Sequence, residues 1–176
     1  MKTLLRWKHW QVFVAFMGLW GISRCFDLAT EDRIDNPLLE RLANLFSVLS
    51  AGVFFGLCYA VTNVFYHKIP TGAVFNLKRF NNCVLFSYLL FVYDGVINPA
   101  FAYHPNVLYA VLSWIGGLCW IYFVYITVYV LNSIELKRSA SFKEVIMDFL
   151  SMVLFPIGVW FLQPRINRIY TTESST

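Results

Sequence analysis

Four long apolar runs, at about 8–26, 43–66, 82–102 and 106–132, constrain this chain more than any other feature. Each is close to the ~20 residues that a helix needs to cross a hydrocarbon layer. Backbone N–H and C=O groups in lipid must be satisfied internally, and a helix does so within one segment. Hydrophobic residues make up 59% of the 176 residues and charged residues only 14%, so a soluble domain of this length has too little polar surface to cover its apolar side chains. The expected fold is all-α: one polytopic membrane helix bundle over 1–176, with four transmembrane helices and a C-terminal proline-broken hydrophobic segment.

The first run follows Lys2, Arg6 and Lys8, as in a signal peptide, but "WQVFVAFMGLWGIS" stays bulky to its end and leads to Arg24 and Cys25. No small-x-small cleavage site follows, so a retained span is expected. The next connection, "DLATEDRIDNPLLERLAN", is the acidic one, and the connections "HKIPTGAVFNLKRFNN" and "SIELKRSASFKE" are basic. Positive loops stay on the cytoplasmic side. An N-terminus inside places Lys68, Lys78, Arg79, Lys137, Arg138 and Lys143 together there, with 27–41 and the short turn 104–106 outside.

The segment "SFKEVIMDFLSMVLFPIGVWFLQPRINRIY" is the least regular. Ser141 and Glu144 form an S-x-x-E box that starts a helix near Phe142, and Pro156 interrupts it. The hydrophobic part, 142–163, is either re-entrant (or interfacial) or a fifth span; a polar tail, 164–176, follows. Val145–Gln163 is about 28 Å long as a continuous helix, enough to cross. A straight crossing, however, exports Arg165 and Arg168, and the charge bias therefore favours a return at Pro156. The ending "LFPIGVWFLQPRINRIY" resembles that of small, uncharacterised bacterial multi-span membrane proteins. The resemblance implies a bacterial inner-membrane protein and brings no activity with it.

Chemistry-bearing residues are few. Asp94 in "LLFVYDGVINPAF" is the leading one, because a carboxylate within a span is costly and normally faces a partner. Ser87 and Asn98 share its helix face and complete a candidate polar intramembrane stripe. If Gly95 and Pro99 end the helix early, Asp94 lies instead at the outer headgroups, within reach of Arg24. Asp148 is read as a helix-start residue close to water. The small-residue faces Gly52, Gly56 and Asn63 in the second run, and Gly116 and Gly117 in the fourth, are candidate helix-packing surfaces. Tyr122 and Tyr125 are candidate cavity-lining residues, while Tyr129 suits interface anchoring.

Cys25, Cys58, Cys83 and Cys119 show no paired spacing and read as small packing residues. His9, His67 and His104 lie at the edges of runs, so no metal or haem ligand set is expected, and no cofactor. No hydrolase or phosphate-binding motif occurs, and basic residues do not interleave with exposed aromatics, which argues against a nucleic-acid partner. The expected function is non-enzymatic: assembly with itself, or with a membrane or cytoplasmic protein, in the lipid bilayer. The alternatives are a transporter or ion pathway centred on Asp94, a membrane component of a bacterial antiviral system, and a lipid-modifying enzyme.

Overall fold

The computed structural model describes residues 9–33, 37–72, 75–97, 107–154 and 157–172, and every regular element among them is helical. The elements are α1 (His9–Arg33), α2 (Pro37–Phe65), α3 (Leu77–Val92), α4 (Val107–Leu136), α5 (Phe142–Val153) and α6 (Ile157–Thr172). A 3-10 turn, Tyr66–Lys68, extends α2, and a π-helical turn, Tyr93–Ile97, extends α3. Three stretches are long and apolar enough to cross a membrane: Trp10–Ala29, Leu38–Lys68 and Val107–Leu136. The run 82–102 is helical as far as Ile97; residues 98–106, including Asn98, Pro99, His104 and the 104–106 turn, lie outside the described residues. So do Lys2, Arg6, Lys8 and Pro156.

Helix α2 is the centre of the bundle and packs on α1, α3 and α4. Half of its apolar window is buried, against 11% for that of α1 and 17% for that of α4, whose buried residues lie mostly in its second half, from Phe123 to Ser133. The core is mainly aliphatic with an aromatic cluster inside it: Phe55 of α2 lies 5.1 Å from the Phe123 ring of α4 and 5.3 Å from the Tyr88 ring of α3.

Short polar side chains fix the register of each helix pair. Ser23 donates to the Ala43 carbonyl (2.8 Å) and Ser50 to that of Phe16 (3.1 Å), tying α1 to α2. Thr62 and Thr127 join α2 to α4 at 3.2 Å, and the Asn63 and Asn81 amides exchange two hydrogen bonds between α2 and α3. Ser87 donates to the Gly116 carbonyl at 3.0 Å and ties α3 to α4. Such bonds average only ~0.6 kcal/mol each in a membrane protein, so their main effect is to select one register. Gly116 completes the α3–α4 contact, because a Cβ there would meet Leu90 Cδ2 at 2.6 Å.

The C-terminal segment is a helical hairpin. The Ser141 backbone N–H donates to Glu144 Oε2 at 2.7 Å in the expected capping box, and Arg138 pairs with the same carboxylate. The Arg138 guanidinium and the Ser141 donors hold Glu144 well below the ordinary 4.5, at about 2, so the cap stays ionised in any mildly acidic medium. After Val153 the chain reverses, and α6 packs back along α5 and onto α1, with the Phe13 and Trp160 rings 5.5 Å apart. The reversal brings Arg165 to Asp148 of α5 and Glu135 at the end of α4. Residues 142–163 therefore do not form one straight helix. Helix α6 also continues through Pro164 to Thr172, where the sequence reading starts a polar tail. Pro164 removes one backbone donor, but the pairs made by Arg165 and Arg168 hold the following turn against α4.

Candidate functional site

Asp94 lies in the π-helical turn that ends α3, and the turn explains its setting. A π-turn inserts one residue into the helical repeat and re-aims the side chains that follow. Here it brings Asp94 to α4, where the Tyr109 hydroxyl donates to Asp94 Oδ1 at 2.5 Å. Arg24 is not its partner: it pairs with Asp27 on its own helix, at 3.3 Å. Asp94, Ser87, Ser113 and Gly117 share the lining of a cavity of about 200 Å³ among α2, α3 and α4. Ser113 Oγ is buried beside Tyr109 and meets no hydrogen-bond partner of proper geometry among the described residues. A carboxylate, a bound hydroxyl and an orphan hydroxyl thus converge on one small space. Asn98, the third member of the sequence stripe, lies outside the described residues.

The proposed packing faces divide. Gly116 is in tight contact with α3, whereas Gly117 is exposed and has nothing within 4 Å of where a Cβ would stand. Gly52 is met by the Tyr88 hydroxyl, 3.1 Å from its Cβ position, and not by a helix backbone. Gly52 and Gly56 instead form the floor of a groove of about 420 Å³ between α2 and α3, walled by Tyr59, Tyr88 and Asn81. Asn63 sits at the end of that contact in the amide pair with Asn81. Of the two tyrosines, Tyr125 belongs to an aromatic seam: its ring lies 6.2 Å from Tyr129 and 6.4 Å from both Phe142 and Phe149 of α5. Helix α5 therefore lies against one side of this ring. Tyr122 is half-buried against the core and lines none of the cavities around Asp94, Gly52 or Gly117.

Sequence reasoning missed the strongest electrostatic cluster. Arg165 donates through Nε to Glu135 Oε2 (2.9 Å), through Nη1 to Asp148 Oδ2 (2.5 Å) and through Nη2 to Asn132 Oδ1 (2.5 Å) and to Glu135. Arg168 adds a bond to Glu135 Oε1 at 3.0 Å. Asp148, expected to be a lone helix-start charge, is therefore an ion-pair partner. Arg165 gains more from its two carboxylates than burial costs it and stays firmly charged. With four of its five N–H donors engaged by Asn132, Glu135 and Asp148, the cluster works as a clamp between α6, α5 and α4.

Among the described residues, no three His, Cys, Asp or Glu side chains gather closely enough to hold a metal ion. His67 is exposed, edge-on to Tyr66. No protein-family model, curated protein or solved structure matches the chain.

Proposed function

We propose that the protein is a four-span, N-inside component of a bacterial inner membrane that acts without catalysis, by assembling with further copies of itself. The supporting observation is the unfilled face of α4. Ala110, Ser113 and Gly117 recur at helical spacing and form the floor of a groove of about 400 Å³ walled by Trp114 and Ile121. Trp114 is 78% exposed, and Gly117 is open. In lipid, helices associate where small residues let backbones approach and where polar groups find partners. Gly116 uses that property within the chain, and its neighbour Gly117 leaves it free for a helix from elsewhere. The fourth crossing is α3 with its π-turn, about 31 Å of helix from Leu77 to Ile97.

A second reading, an ion or substrate pathway centred on Asp94, draws on one further observation. The Asp94 cavity and the α4 groove share Ser113 and Gly117, so a helix seated in the groove also walls the cavity.

Native mass spectrometry of the purified chain tests the assembly reading. The wild type should appear as an oligomer, and Gly117→Leu should shift it to monomer by filling the groove. Gly18→Leu, at another open helical position on α1, should leave the distribution unchanged. A monomeric wild type, or an oligomer indifferent to Gly117→Leu, contradicts assembly through this face.

A further inference from the structure

A second face of the same helices points to a ligand of different chemistry. Where α3 begins, Lys78 and Arg79 are both exposed, and no carboxylate pairs with either among the described residues. They stand over a cavity of about 400 Å³ between α3 and α4, whose remaining walls include Asn82, Cys83 and Cys119. Phe86 lines both this cavity and a second, of about 490 Å³, which continues along the seam between Leu89 and Leu112. The result is one trough, polar and doubly cationic at its head and apolar along its length. From Arg79 to Tyr93 it follows about 21 Å of helix.

We infer that this trough holds a single anionic phospholipid, its phosphate at Lys78 and Arg79 and an acyl chain lying along Phe86, Leu89 and Leu112. Charge complementarity decides the occupant. A zwitterionic lipid brings its own cation to a site that already has two, whereas an anionic headgroup leaves both guanidinium and ammonium partnered. A helix from a second copy would fill the apolar length but leave the two cations without counter-charge. The site does not depend on self-association, which concerns the Gly117 face.

The test is native mass spectrometry of the full chain in detergent, with equal amounts of a phosphatidylglycerol and a phosphatidylcholine of matched acyl chains. One phosphatidylglycerol should be retained in preference to phosphatidylcholine by about 30-fold, the product expected from two interfacial cations. Lys78→Gln with Arg79→Gln should abolish the preference, and Lys143→Gln, at an exposed lysine on α5, should preserve it. Cys119→Trp, which fills the head of the trough, should reduce retention of phosphatidylglycerol. Equal retention of the two lipids by the wild type would overturn the inference, as would a preference that survives the double Gln change. Retention of glycerol 3-phosphate as strong as that of phosphatidylglycerol would also overturn it, because the acyl chain would then contribute nothing.

Discussion

Gly158→Ala should lower the melting temperature of the detergent-solubilised protein by about 6–12 °C, corresponding to ~3 kcal/mol in a chain of this size. The reason is steric. A Cβ at position 158 would stand 2.2 Å from the Ser151 carbonyl oxygen, 2.7 Å from its carbon and 3.1 Å from Met152 Cα. All three are backbone atoms of α5, which cannot rotate aside as a side chain can, so the first turn of α6 must lift away. Lifting it pulls Trp160 from Phe13 and loosens the packing of α6 on α1 as well. Gly18→Ala is the control: it has nothing within 4 Å and should change the melting temperature little. Equal, near-wild-type melting of the two variants would show that α6 does not pack on α5 through Gly158.

Arg165→Ala should be comparably damaging, by a different route. It leaves Asp148 without its cation and Glu135 with Arg168 alone, each with only partial access to solvent, and it breaks the link from α6 to α5 and weakens that to α4. Removing one partner of a fully buried ion pair costs about 3–5 kcal/mol. The side chains here are 19–27% exposed, so the lower end of that range applies. Arg165→Lys should recover only part of the loss, because a single ammonium cannot present the planar fork that reaches Asn132, Glu135 and Asp148 at once. Thermal unfolding of Arg165→Ala and Arg165→Lys beside the wild type reads both effects. Full recovery by Lys would mean that charge alone matters and the fork geometry does not.

These two residues also mark where sequence reading reached and where it stopped. Hydrophobicity is a local property, so the helical runs and the S-x-x-E start at Ser141 were legible from spacing alone. The π-turn at Tyr93–Ile97 was not, since no residue in "YDGVI" demands it. The Arg165 clamp joins residues 17 and 30 positions apart, and periodicity within one helix carries no information about such pairs. A weak signal was nevertheless present. Asp148 and Arg165 lie eight and nine residues either side of Pro156, which is the spacing that a hairpin turning there would bring together. Gly116 and Gly117 illustrate the same limit. They are adjacent and chemically identical, and only the position of Leu90 decides which one is covered.

The hairpin of α5 and α6 predicts that residues 142–172 enter and return on one side of the bilayer. Single cysteines at Lys143, Arg168 and Glu40, on a background without native cysteines, test it with a membrane-impermeant maleimide in intact cells. All three positions are exposed, so each is open to the reagent on its own side of the membrane. Glu40→Cys should label in intact cells, and Lys143→Cys and Arg168→Cys should both label only after permeabilisation. Labelling of Arg168→Cys in intact cells, with Lys143→Cys still protected, would mean that the segment crosses the membrane and would contradict the hairpin.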